Sequence, residues 1–201
     1  MEEKQDLRIQ KTYLALTDSF QKMLEEMPFE EVTVNELCNR AMVRRATFYK
    51  HFADKYEFFA FFVKEIQRSF LERNPQNAGQ PQHFYYDTIV SVFDFIDANR
   101  KLVASIVKSS MFPILLDVVS EQTARDVQRQ LKQDERAGRP LPASPAILAQ
   151  LFTGALINTA KWWFMENEEI PKEQMIEQTA ALLLPPLSEP EAAGEQGNGR
   201  T

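Results

Sequence analysis

The stretch TVNELCNRAMVRRATFYKHFADKYE, residues Thr33 to Glu57, decides the fold expected for this chain. Thr33 is followed three positions later by Glu, and Asp54 likewise, which is the capping pattern that starts a helix. The turn 41–43 lies between the two patterns. The apolar spacing around it predicts two short helices, at 34–40 and 44–51. Two short helices joined by a three-residue turn form a helix-turn-helix.

The same stretch is basic within an acidic chain. The 201 residues carry a formal net charge of -6, whereas residues 37–55 hold five basic side chains and one acidic side chain. In a helix-turn-helix the second helix enters the DNA major groove, and Arg donors there suit the O6 and N7 acceptors of guanine. Charge and periodicity alone leave two interpretations open: a solvated charged face, or a surface that meets phosphate. Val43, Phe48 and Phe52 are expected to face inward.

A family resemblance favours the second interpretation. Thr33-Val34, Leu37, Ala41 and Val43, with the runs 47–52 (TFYKHF) and 54–57 (DKYE), resemble the DNA-binding domain of the tetracycline-repressor (TetR) family. The resemblance covers residues 9–65. It implies phosphate or sugar contacts for Thr33, Tyr49, His51 and Lys55, base contacts for Arg44, Arg45 and Thr47, and a less defined DNA role for Lys50.

Three residues depart from the family pattern. Met42 stands where a turn Gly is usual, Arg44 where a Ser cap is usual, and Ala46 where Gly is common. A Met at positive φ is costly, so we expect the turn to differ in detail. Without the Ser cap, Arg44 is free to extend toward DNA.

Helical spacing continues through the rest of the chain, between breaks marked by Pro and Gly. It predicts an all-α protein of about nine helices, the others lying at about 6–27, 54–73, 83–98, 100–108, 113–138, 145–166 and 171–184. Residues 1–52 form the predicted DNA-binding domain, and helix 54–73 connects it to an effector-binding and dimerisation domain at 74–187. Residues 188–201 have little apolar content and are expected to be a disordered tail.

The resemblance also implies an effector pocket among the middle helices and a dimer interface on the last two. Aromatic and Met side chains are the pocket candidates: Tyr86, Phe93, Met111, Phe112, Leu115, Phe152, Trp162 and Trp163. The interface candidates are Leu151, Gly154, Ala155, Asn158, Ile176 and Leu183. Two alternatives stay open. Any one aromatic could belong to the core, and the last two helices could simply cover it. Adjacent tryptophans cannot both face one core, so one of them lines a cavity or the interface.

Other classes of function find little support. A Gly-rich phosphate loop, an HExxH motif and a Ser elbow are all missing, so we predict no enzyme and no cofactor. Two His and one Cys give no metal-ligand spacing, and Cys38 is expected to be a small buried hydrophobe rather than a redox switch. The polar start and short apolar runs predict a cytoplasmic protein. The predicted function is a dimeric regulator, a repressor that binds a palindromic operator and is released by a small molecule. The alternative is a TetR-like co-regulator that acts through protein contacts.

Overall fold

The computed structural model describes residues 2–73, 83–167 and 169–184, and these contain nine α-helices, one 3₁₀ turn and no strand. The helices are α1 (Glu2–Glu26), α2 (Val34–Arg40), α3 (Arg45–His51), α4 (Lys55–Arg73), α5 (Phe84–Ala98), α6 (Arg100–Val107), α7 (Phe112–Arg136), α8 (Pro145–Glu166) and α9 (Lys172–Leu183), with the 3₁₀ turn at Phe29–Glu31. The prediction of an all-α fold is confirmed. The expected linker at 74–82 and the expected tail at 188–201 lie outside the described residues.

The helix-turn-helix forms where the sequence places it. The bounds of α2 are those expected, and α3 begins one residue later than predicted because Arg44 has an extended backbone and occupies the N-cap position. At α2 the Thr33 hydroxyl accepts the Glu36 N–H at 3.1 Å. The other half of the expected capping box is missing, since the Glu36 carboxylate pairs with Arg40.

The start of α4 uses a variant of the second capping pattern. Asp54 Oδ1 accepts the N–H groups of Tyr56 and Glu57 at 2.8 and 2.9 Å. The Glu57 carboxylate reaches back to the N–H of Ala53 at 2.6 Å, one residue before the cap. These three hydrogen bonds fix the angle at which the chain leaves α3.

The turn after α2 keeps the left-handed geometry despite lacking a glycine. Met42 has φ 53°, and the Val43 N–H bonds to the Cys38 carbonyl at 2.9 Å. This hydrogen bond, from a residue to the carbonyl five positions earlier, belongs to the Schellman motif. The left-handed position of that motif usually holds Gly. The turn was expected to differ in detail because a positive φ is costly for Met. This expectation is wrong, since Met42 adopts the positive φ.

The first hydrophobic core joins the three N-terminal helices to α4 and extends into the second half of the chain. The Phe20 ring lies edge-on to Phe58 and Phe62, with centroids 5.1 and 5.0 Å apart. Leu102 and Ile106 of α6 belong to the same buried cluster. Because α6 closes this core, a displacement of α6 is felt directly by the packing of α1 and α4.

A hydrogen bond reinforces this junction. The Ser110 N–H, in the turn between α6 and α7, donates to Glu30 Oε1 at 2.7 Å. This bond is the largest cause of the lowered pKa of Glu30. It links the turn before α2 to the turn before α7 across 80 residues of chain.

The second core is formed by α5, α8, α9 and the end of α7. Trp163 lies at its centre, 1% exposed, and its indole N–H donates to the Ile170 carbonyl at 2.8 Å. A buried polar group closes one side: the Tyr85 hydroxyl donates to Asp134 Oδ2 at 2.6 Å, and Arg139 pairs with the same oxygen at 3.1 Å. Burial and the Asp134 carboxylate raise the pKa of Tyr85.

Among the described residues, no single helix is long and apolar enough to cross a membrane, and one sharply bent pair, α6 with α7, meets the length and composition of a span only when its two helices are taken together.

Candidate nucleic-acid interface and effector cavity

Helix α3 has one face in the core and one in solvent. Phe48 is fully buried and packs on Phe52 and Phe58, with ring centroids 5.4 and 5.6 Å away. Arg45 and Tyr49 lie on the exposed side, and the Arg45 guanidinium stands 5.9 Å from the Tyr49 ring centroid. The helix is thus held by its apolar residues in an orientation that presents its basic residues outward.

The charge of this exposed face comes from three residues. Arg44, Arg45 and Lys50 are exposed and have no acidic partner among the described residues. Arg40, by contrast, pairs with both Glu26 and Glu36, so its charge is compensated by the protein. The basic face is therefore narrower than the sequence count indicates, and it is centred on the start of α3.

The other predicted DNA contacts lie around this face, and they differ in exposure and in the hydrogen bonds that they already make within the protein. Thr33 is exposed, although its hydroxyl already caps α2. Thr47 is half-buried. His51 is also half-buried, and its Nδ1 lies 3.2 Å from the Tyr13 hydroxyl, which ties the end of α3 to α1. Only the Nε2 side of His51 remains for a partner outside the protein.

The structure gives Lys55 a different role from the expected phosphate contact. Its ammonium donates to the carbonyls of Phe29, Glu30 and Val32 at 3.0, 3.0 and 2.8 Å. Burial lowers the pKa of Lys55. An ammonium has three donors, and all three are used inside the protein, so none remains for a phosphate. Lys55 instead braces the 3₁₀ turn against the start of α4.

Cys38 is 1% exposed within the first core, and burial raises the pKa of its thiol. A buried thiol with a raised pKa forms little thiolate and is unreactive. The structure agrees with the interpretation of Cys38 as a small hydrophobe.

A cavity of about 210 Å³ lies among α4, α5, α6, α7 and α8. Of the eight predicted pocket residues, Phe112 and Leu115 line it. Phe93, Phe152 and Trp163 are buried in the second core, Met111 is buried in the first, and Tyr86 and Trp162 are partly exposed elsewhere. The wall residues that sequence reasoning missed include Phe62, Phe84, Phe95, Lys161 and Phe164.

The two adjacent tryptophans lie in different environments. Trp163 is buried in the second core, and Trp162 does not line the cavity. Trp162 is 42% exposed on the outer face of α8. This face also presents Ile147, Leu151, Gly154, Ala155, Asn158 and Met165 at helical spacing, and Met165 borders the cavity as well. Four of the predicted interface residues therefore share one exposed surface, which we call the α8 face. The other two do not: Ile176 is buried in the chain's own core, and Leu183 packs against it.

Among the described residues, no group of three or more His, Cys, Asp or Glu side chains is placed to hold a metal ion.

A helix-turn-helix with a basic second helix, carried on a helical body with an apolar cavity, is typical of a class of DNA-binding regulators. Comparison with known protein families shows which family of regulators this is. Residues 21–60 match the family model described as bacterial regulatory proteins, tetR family, and residues 83–184 match the one described as transcriptional regulator C-terminal region. The chain belongs to the TetR family of transcriptional regulators. No curated protein matches it.

Solved structures support the same fold at low identity. A TetR transcriptional regulator from Streptococcus agalactiae is 19% identical, with a TM-score of 0.62 over 91% of this chain and 99% of that one. The fatty acid degradation regulator FadR of Bacillus halodurans is 17% identical, with a TM-score of 0.64 over 86% and 94%. FadR of Bacillus subtilis, solved in complex with stearoyl-CoA, is 15% identical, with a TM-score of 0.64 over 88% and 100%.

Proposed function

We propose that this TetR-family regulator is a dimeric repressor that binds a palindromic operator through α3 and is released by a small molecule in the cavity. The observation that carries the proposal is the exposed face of α3, where Arg44, Arg45 and Lys50 lack acidic partners in the described part of the chain. Uncompensated cations on a helix held rigidly by Phe48 suit the negative groove of a duplex. Arg44 and Arg45 contact bases, and Lys50 contacts the backbone. The remaining predicted DNA contacts, Thr33, Thr47, Tyr49 and His51, lie around them.

The effector part of the proposal is supported by the cavity and by what similar proteins bind. Two of the similar structures are fatty acid regulators by description, and one of them holds stearoyl-CoA. The cavity of this chain is lined mainly by Phe, Val, Ile and Leu side chains. A small molecule with a large apolar part is therefore the effector class that this wall fits best.

The cavity also touches the elements that hold the DNA-binding helices. Phe62 and Val63 of α4 and Leu102 and Ile106 of α6 line it and at the same time belong to the first core. A ligand that displaces these side chains changes how α4 and α6 pack on α1. Release of DNA then follows from a change in the separation of the two α3 helices of the dimer.

Selection of bound fragments from a random duplex pool tests the DNA-binding part. We expect the dimeric protein to retain palindromic fragments, with an affinity that falls steeply as salt rises. Arg45→Ala should relax base preference at one position of each half-site and weaken binding by about 1–3 kcal/mol. Lys50→Ala should weaken all sequences alike and reduce the salt slope by about 1.

Arg125→Ala is the matched control, because Arg125 is an exposed arginine of α7 that pairs with Glu121. Its DNA binding should equal that of the unmodified protein. If the dimeric protein retains no duplex at low salt, direct DNA binding is refuted, and the alternative of a co-regulator acting through protein contacts takes its place.

A further inference from the structure

We propose that the cavity takes an amphipathic ligand of medium length, with an apolar chain along the wall and an anionic head group held by Lys161. The inference rests on the proposed function in one respect, since it takes the cavity as the effector site. The chemistry of the ligand follows from the wall itself.

The wall favours a chain over a compact polar molecule. Five helices contribute to it, and its largest side chains are the rings of Phe62, Phe84, Phe95, Phe112 and Phe164. Each methylene that leaves water for such a surface improves affinity by about fourfold. The cavity measures about 210 Å³, which is below the roughly 300 Å³ at which drug-sized pockets begin. A chain of about ten carbons is thus a better match than a long one.

Two charged residues lie in the wall, and the protein compensates only one of them. The Asp126 carboxylate accepts from Arg129 at 3.0 Å and from Gln122 at 2.9 Å. A carboxylate with two donors of its own gives no advantage to a cationic ligand. Asp126 therefore does not set the sign of the charge that the cavity prefers.

Lys161 has no such partner. No carboxylate pairs with it in the described part of the chain, and its recorded contact is with the Phe112 ring, whose centroid lies 5.9 Å from Nζ. Lys161 is exposed, so its ammonium is hydrated when the cavity is empty, and the stem of the side chain borders the apolar wall. An apolar chain in the cavity with an anion at Lys161 satisfies both parts of this side chain.

Four decyl compounds that differ only in the head group test the proposal: decanoate, decyl phosphate, decanol and decyltrimethylammonium. Binding is measured by calorimetry below the micellar concentrations, with the shift in melting temperature as a second readout. We expect one or both anions to bind about tenfold more tightly than decanol. Decyltrimethylammonium should bind most weakly. A preference for decanoate over decyl phosphate, or the reverse, identifies the head group as a carboxylate or a phosphate.

Variants locate the site and the charge. Lys161→Met keeps the length of the side chain and should reduce anion affinity to that of decanol, while decanol affinity is unchanged. Lys132→Met removes an exposed lysine away from the wall and should keep the preference for anions. Ser91→Phe, at a half-buried wall position outside the two cores, should weaken all four compounds.

Equal binding of decanol and the anions, or an anion preference that survives Lys161→Met, would overturn the proposal. Failure of all four compounds to bind would overturn it as well. Retention of duplex DNA is measured on the same protein, so a regulator that binds DNA and ignores these compounds is distinguished from a protein that does neither.

Discussion

At the scale of single residues, Met42 is the position where sequence and backbone disagree. Its φ of 53° costs an L-residue about 1–2 kcal/mol, and its side chain is 93% exposed and so loses nothing if removed. Met42→Gly should therefore raise the free energy of unfolding by about 1 kcal/mol, measured by urea denaturation. Met42→Ala keeps the Cβ and should give no comparable gain; equal stabilisation by both would show that backbone strain is not the cause.

Lys55 and Lys50 are both lysines of the DNA-binding region, and the structure gives them opposite roles. Lys55 serves three carbonyls, which lose their partner in Lys55→Met, whereas Lys50 is exposed with no acid nearby in the described residues. Lys55→Met should lower the free energy of unfolding by about 1–3 kcal/mol. Lys50→Met should leave stability within about 0.5 kcal/mol and weaken DNA binding. Urea denaturation and a duplex titration of both variants separate the two effects, and a stable Lys55→Met with weakened DNA binding would contradict this assignment.

At the scale of elements, the link between α5 and the end of α7 depends on a buried hydrogen bond. Tyr85→Phe removes the hydroxyl that donates to Asp134 and should lower the free energy of unfolding by about 1–3 kcal/mol. The adjacent Tyr86 is partly exposed, so Tyr86→Phe is a matched control expected to stay within about 0.5 kcal/mol. Similar losses in both variants would mean that the hydroxyl contact contributes little.

Helices were predictable from the sequence because their signals are local. Capping residues, Pro positions and apolar spacing define α2, α3 and α8 to within one residue. The cavity was not predictable from the sequence. Its wall depends on which faces of five different helices pack against each other. Phe93 and Phe95 show the limit: both are aromatics of α5, yet Phe93 fills the second core and Phe95 lines the cavity. Composition cannot separate two such positions when the neighbouring helix is unknown.

The hydrogen bonds of Lys55 to the 3₁₀ turn were not predicted for a related reason. Its partners are backbone carbonyls, which are present at every residue and leave no mark in the sequence. Ile176 shows the converse, since an apolar residue on a terminal helix suits an interface and a core equally well. Long-range geometry decides both cases.

At the scale of the whole molecule, one carboxylate connects the DNA-binding helices to the cavity-forming ones. Glu30 accepts the Ser110 N–H, and this bond holds the pKa of Glu30 below its usual value. A lowered carboxyl pKa means that the contact stabilises the fold above the unfolded pKa of about 4.3 and is lost as pH falls through the folded pKa. Glu30→Gln should therefore lower the free energy of unfolding at pH 7 and lose this difference under acid conditions.

The neighbouring Glu31 provides the control for that prediction. It is exposed and has no hydrogen bond to its carboxylate among the described residues, so Glu31→Gln should leave the pH dependence unchanged. Urea denaturation between pH 3 and pH 7 measures both variants. A pH dependence of Glu30→Gln identical to that of the unmodified protein would show that the junction does not rely on this carboxylate.

The α8 face is an apolar surface that a single chain leaves exposed to solvent. It exposes Leu151 at 64% together with Trp162, and small residues between them allow a second helix to approach closely. A two-fold dimer would bury this face against its own copy. Leu151→Glu puts a carboxylate into each half of such an interface and should convert the dimer to a monomer in light scattering, with palindrome affinity reduced at least about tenfold. Leu14 is 62% exposed on α1, so Leu14→Glu matches the chemistry outside the face and should remain dimeric. A dimer that survives Leu151→Glu would place the interface elsewhere.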